Sequence, residues 1–94
     1  MTTGEPYPGA CDVCKGYWAT YAPAAQPVVI GESVEYMAEV WRCRFCGTYW
    51  EVGAFSYPQV ISREHALKEL SDLDAMEAAL GIDFPDPPDV PLPD

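Results

Sequence analysis

The most regular pattern in the chain is the alternation over residues 33–43. In an extended conformation Val34, Tyr36, Ala38 and Val40 fall on one face, and Glu35, Met37, Glu39 and Trp41 on the other. A period of two predicts a strand with a mixed second face. Thr48-Tyr49-Trp50-Glu51-Val52 is rich in β formers and reads as the return strand, ended by Gly53. Residues 34–52 therefore predict a β-hairpin. Upstream, Val28-Val29-Ile30 predicts a short strand ended by Gly31, after a loop bracketed by Pro23 and Pro27. Tyr17-Trp18-Ala19-Thr20-Tyr21 also reads as a short strand.

Beyond residue 61 the period changes. Ser62 suits an N-cap, and Glu64 lies in the first turn, where the helix dipole favours an acid. Leu67, Leu70, Leu73 and Met76 follow at steps of three, with Leu80 beyond them. Each step of three drifts by about 60° on an α-helix, so one straight helix would spread this stripe around its surface. Ser71 offers a second cap, with Asp74 in a weak capping box. The pattern predicts a helix over 63–70, a break at Ser71, a helix over 72–80 and Gly81 as the left-handed stop. Residues 84–94 hold five prolines and three aspartates, and predict an extended tail that leaves the domain. The first ten residues predict an irregular arm. The expected organisation is one α+β domain over 1–83 and the tail over 84–94.

Candidate chemistry is concentrated in four cysteines. Cys11-x-x-Cys14 and Cys43-x-x-Cys46 are separated by 28 residues, and a glycine follows closely after each pair, Gly16 and Gly47. Two residues between cysteines let the backbone turn so that both sulfurs reach one ion. Two such turns supply the four thiolates that tetrahedral Zn²⁺ accepts at about 2.3 Å per bond. A closed four-sulfur site has no open position for water or substrate, so the expected role is structural. The same sulfurs also fit iron. Gly16 is expected to supply a left-handed turn after the first pair. His65, the single histidine, is not needed as a fifth ligand.

Trp41-Arg42-Cys43-Arg44-Phe45-Cys46-Gly47 between two strands resembles the second half of a zinc ribbon, and Cys11-Asp12-Val13-Cys14-Lys15-Gly16 resembles its first knuckle. The resemblance covers residues 11–52. It implies an extra strand, Val28–Ile30, inserted between the knuckles. Trp41, Cys43, Cys46 and Gly47 are also similar to the second knuckle of rubredoxins, which implies an iron-binding electron carrier. Arg44 stands where rubredoxin-like knuckles carry proline, and Lys15 where they carry glycine. The helical segment 62–81 has no place in that fold.

Composition then narrows the function. The formal net charge is −10 over 94 residues, of which −7 lies in residues 62–94. Nucleic acids and anionic membranes draw affinity from Lys and Arg, of which there are five, so both are disfavoured as partners. A basic protein partner would be attracted. No apolar run approaches a membrane span and no secretory leader is visible, so the expected compartment is the cytoplasm. No catalytic constellation is marked by spacing, and no enzyme activity is expected.

The function expected on these grounds is an acidic, zinc-stapled binding module that occupies a basic protein partner. Its sharpest form is an inhibitor or immunity protein covering the cationic site of a toxin nuclease. The alternatives are a rubredoxin-like electron carrier and a small adaptor subunit. Candidate partner contacts are Glu69, Asp72, Asp74 and Glu77 on the helices, and Trp50 on the hairpin. Trp18, Trp41 and Trp50 are also candidates for packing around the hairpin.

Overall fold

A strand that must bury side chains on both faces loses its alternation, and Tyr49-Trp50 does so: both are essentially inaccessible. The structure, a computed structural model, describes residues 7, 9–54 and 57–88. Within them the chain has an α+β fold. Helix α1 (Asp12–Thr20) and a 3₁₀ turn (Pro23–Ala25) precede strands β1 (Val28–Ser33), β2 (Ala38–Arg42), β3 (Tyr49–Gly53) and β4 (Gln59–Ile61). Helices α2 (Arg63–Glu69) and α3 (Leu73–Leu80) follow. The strands form an antiparallel sheet in the order β1-β2-β3-β4.

Register assigns the faces, because directly opposed residues share one. Arg42 opposes Tyr49, which opposes Ile61; Val40 opposes Glu51. This face packs against α2 and α3 through Ile30, Val40, Tyr49, Ile61, Ala66, Leu70 and Leu73. Trp41 opposes Trp50, which opposes Val60, on the other face. There Trp50 and Val60 pack with Cys14 and Cys43, flanked by Trp18 and Trp41. The sheet is thus the middle of three layers.

The hairpin prediction holds: β2 and β3 pair in register from Ala38–Gly53 to Arg42–Tyr49. The alternating segment, however, is not one strand. Ser33 pairs with Ala38, and residues 34–37 form the turn between β1 and β2, with Met37 in a left-handed conformation (φ 53°). Val34 and Tyr36, expected to share a strand face with Ala38 and Val40, are exposed in this turn. Gly31 does not end β1. It lies opposite Val40, where a Cβ would stand 3.1 Å from Met76 Sδ and 3.2 Å from Leu70 Cδ1. Its missing side chain lets the helical layer approach the sheet.

Tyr17–Tyr21 is helical rather than extended. Cys11, Cys14 and Trp18 are spaced by three and four, so one helical face carries them all toward the sheet. That tertiary demand overrides the β propensity of the aromatic run. Gly16 lies inside α1, and Tyr21 takes the left-handed stop instead (φ 55°). The two-helix prediction holds with one adjustment. Ser62 Oγ accepts the His65 N–H at 3.0 Å, and Gly81 ends α3 at φ 70°. The cap residue of α3 is Asp72, not Ser71, and its side chain makes no capping bond; Asp74 pairs with Arg63 instead. The break at Leu70 lets Leu70 and Leu73 both enter the core, at 5% and 0% exposure.

The tail does not leave the domain at residue 84. Phe84 packs against the helical-side core, and Pro85 meets the second knuckle. Residues 89–94, and residues 1–6 and 8 of the arm, lie outside the described residues. Leu73→Ala should cost about 2–5 kcal/mol, as expected for emptying a fully enclosed leucine site. Urea unfolding followed by tryptophan fluorescence measures it; a loss below about 1 kcal/mol would mean that α3 is not seated as described.

Candidate metal centre

Each cysteine pair sits where the backbone turns sharply. Cys11 is the cap residue of α1 and Cys14 lies in its first turn, so the first knuckle opens a helix rather than a strand. The positive end of that helix faces the sulfurs, which favours the thiolate form. The second knuckle closes the β2–β3 hairpin. Cys43 N–H donates to Thr48 O at 3.0 Å, and Gly47 N–H donates to Cys43 O at 3.0 Å. Phe45 N–H donates to Cys43 Sγ at 3.3 Å. Gly47 has φ 79°, and a Cβ there would stand 2.3 Å from Pro85 O, so both conformation and space demand glycine.

The four sulfurs converge. Cys11 and Cys14 Sγ are 3.7 Å apart, Cys11 and Cys43 3.8 Å, and Cys14 and Cys46 3.7 Å. All four lie within 4.8 Å of one another. A regular tetrahedron with bonds of about 2.3 Å has edges of about 3.8 Å. The observed separations are those of four ligands around one ion, and far longer than the roughly 2.05 Å of a disulfide. Cys14 and Cys43 are buried; Cys11 and Cys46 are half-buried.

Crowding four sulfurs disturbs their protonation. Hydrogen bonding with Cys43, then burial, holds the Cys14 thiol far above its ordinary range. The same hydrogen bond draws the Cys43 thiol down to about 5. Burial also raises Cys11. The quartet therefore resists losing all its protons at neutral pH, and a cation is what makes four thiolates compatible with one small volume. The residues fit a metal by donor type, number and spacing. Metal identity is not fixed by them, since tetrahedral sulfur suits zinc and iron alike.

Aromatic rings shield the cluster. Trp18 lies 5.4 Å from Trp41 and 5.5 Å from Trp50, centroid to centroid, and Tyr7 lies 4.9 Å from Trp50. Behind the second knuckle, Arg42 is buried between the rings of Tyr49 (4.5 Å) and Phe84 (4.8 Å). Its Nε donates to Gly47 O at 3.1 Å and its Nη2 to Pro85 O at 2.9 Å, while Nη1 pairs with Glu77 Oε1 at 3.1 Å. Tyr49 Oη donates to Glu77 Oε2 at 2.8 Å and accepts from Arg63 Nη1 at 3.0 Å. One guanidinium thus joins knuckle, helix and tail. Nothing in its sequence context sets Arg42 apart from a surface arginine; only its place on the inward face of β2 does.

The structure brings Cys11, Cys14, Cys43 and Cys46 together and disperses the proposed partner contacts. Trp50 is fully enclosed, because both faces of β3 are covered, and it cannot meet a partner. The Glu69 side chain is 0% exposed, and burial, then Glu51, push its carboxyl up to about 8. Glu77 is occupied by Arg42 and Tyr49. Asp72 and Asp74 remain on the surface, Asp74 paired with Arg63. A cleft of about 400 Å³ beside the β1–β2 turn was not foreseen; Glu32, Val34, Met37, Glu39 and Val52 help to line it. Comparison with protein-family models, curated proteins and solved structures returns no match. No helix among the described residues is long and apolar enough to cross a membrane.

Two outcomes follow from this geometry. Cys14→Ser should abolish stoichiometric metal retention, and a chelator acting on the native protein should erase its near-ultraviolet tryptophan signal. A site of this kind supplies on the order of 10–16 kcal/mol, as much as a small domain's whole stability. A chelated protein with an unchanged tryptophan spectrum would contradict it. At alkaline pH, burial and then the Glu77 contact push the Tyr49 hydroxyl up to about 12. The folded state thus keeps a proton that the unfolded chain loses near pH 10. The associated stability, roughly 2–3 kcal/mol, is complete below pH 10 and lost as pH rises through 12. Tyr49→Phe should flatten the stability profile over that interval; equal slopes for both proteins would remove the effect.

Proposed function

We propose that the chain is a structural zinc module with ribbon-like character, whose metal performs no reaction and whose acidic surface occupies a basic protein partner. The observation that carries the structural role is the closure of the site. Four sulfurs fill a tetrahedron, two of them are buried, and aromatic rings surround them. A site with four protein ligands has no vacant position for water or substrate. Four thiolates with one Zn²⁺ carry a net charge of about −2, which adds to the acidity of the chain.

The binding role rests on charge and on one surface feature. Glu32, Glu35, Glu64, Asp72 and Asp74 are exposed. Around the β1–β2 turn, Val34 is 82% and Met37 58% exposed, and both line the cleft with Glu32 and Glu39. An apolar patch rimmed by acids suits a partner that presents lysine or arginine around an apolar anchor. An inhibitor or immunity protein covering a toxin nuclease is the sharpest form of this reading, and a small adaptor subunit is a milder one. A cytoplasmic setting agrees with thiolates kept reduced for metal.

A second reading, a rubredoxin-like iron carrier, draws support from the half-exposure of Cys11 and Cys46, which brings two ligands near the surface. Colour separates the two. The zinc module is colourless, with one zinc per chain by elemental analysis. A red protein that bleaches on reduction would replace it with the carrier. For the partner, cross-linking in native extract at low salt should recover basic proteins, and recovery should fall steeply as salt rises. Acidic partners, or salt-independent recovery, would contradict the charge-based reading.

A further inference from the structure

A second group of ligating side chains lies on the opposite face of the sheet from the sulfurs. Glu51 projects from β3 on the face that carries Val40, and α2 covers it with His65 and Glu69, one helical turn apart. His65 Nε2 lies 2.9 Å from Glu69 Oε2 and 3.4 Å from Glu51 Oε2. One ligand atom from each of the three residues falls within 4.8 Å of the others. The Glu69 side chain is 0% exposed, and its oxygens face only the His65 imidazole and the Glu51 carboxyl, with no other hydrogen-bond donor. Two carboxylates side by side in so enclosed a site are costly unless a proton or a cation joins them. A single imidazole nitrogen facing two carboxylates cannot remove that cost, because one N–H serves one acceptor at a time.

We propose that Glu51, His65 and Glu69 form a second divalent-cation site, taking an ion of the zinc, iron or manganese class. The separations suit it. Around an ion with bonds of about 2.1 Å, neighbouring ligands stand about 3.0 Å apart in an octahedron and about 3.4 Å apart in a tetrahedron. Imidazole with two carboxylates is a borderline-to-hard donor set, distinct in preference from four thiolates. Gln59 Nε2 donates to Glu51 Oε1 at 2.5 Å and leaves Oε2 directed at the centre, as a supporting contact behind a metal ligand does. His65 and Glu51 are 25% and 15% exposed, so the side away from Glu69 is open to solvent. Three protein ligands with one open side leave a coordination position for water or another ligand, which the sulfur site lacks.

Zn²⁺ is the probe, added to protein whose cysteine site is already filled. Because His65 is the single histidine, its ring proton resonances report this site alone. One further equivalent should bind and shift those resonances. Glu69→Gln and Glu51→Gln should each weaken that binding at least tenfold, while Glu64→Gln, on the exposed side of α2, should leave it unchanged. The retained first equivalent of zinc identifies folded variants, and either ligand variant alone suffices for the comparison. Unmoved His65 resonances through one added equivalent, or ligand variants that titrate like the parent, would overturn the proposal.

Discussion

Four sulfurs gathered within 4.8 Å of one another, three of the pairs at 3.7–3.8 Å, are the constraint on which the rest of the structure depends. They join the cap of α1 to the tip of the β2–β3 hairpin, two segments about thirty residues apart in the chain. Thiolates so close repel strongly unless a cation sits among them. With the cation, the repulsion becomes the strongest tether in a domain whose own core is small. The tether also presses α1 against the Trp41 and Trp50 face of the sheet, so the aromatic layer and the metal site exist together.

The opposite face is built by ordinary burial, and Arg42 links the two halves. Its side chain lies on the helical face while its hydrogen bond to Gly47 O reaches the second knuckle. Pairing with Glu77 and stacking between Tyr49 and Phe84 compensate for burying the charge. The knuckle is thereby braced from behind by α3 and by the first residues of the C-terminal segment. The −10 charge is correspondingly not all at the surface: Glu69 and Glu77 are internal, whereas the acids of the β1–β2 turn and of the helix starts face solvent.

Much of this was legible in the sequence where a local signal agreed with the tertiary demand. Cys43-x-x-Cys46-Gly47 between two β-forming segments specified the second knuckle, and Ser62, Leu70, Leu73 and Gly81 specified the helix pair. Tyr17, Trp18, Thr20 and Tyr21 favour strands and so mask the second half of helix α1, although the 11, 14, 18 spacing carries the helical signal. The turn at 34–37 was hidden because no Gly or Pro marks it and Met37 takes the left-handed conformation. Trp50 reads from sequence both as a packing residue and as a partner contact, and Glu69 as a partner contact among the helix acids. Both are internal because the sheet is covered on both sides, which the sequence reveals only as the adjacent pair Tyr49-Trp50. The Glu51–His65–Glu69 convergence needs the strand-to-helix packing and has no counterpart in sequence spacing beyond the step of four on α2.

The central claim is that one ion, bound only by sulfur, locks the three layers. X-ray absorption at the metal edge, on protein carrying one equivalent, tests it most directly. The predicted result is a single shell of four sulfurs at about 2.3 Å with no nitrogen or oxygen scatterers. A mixed shell, or fewer than four sulfurs, would contradict it.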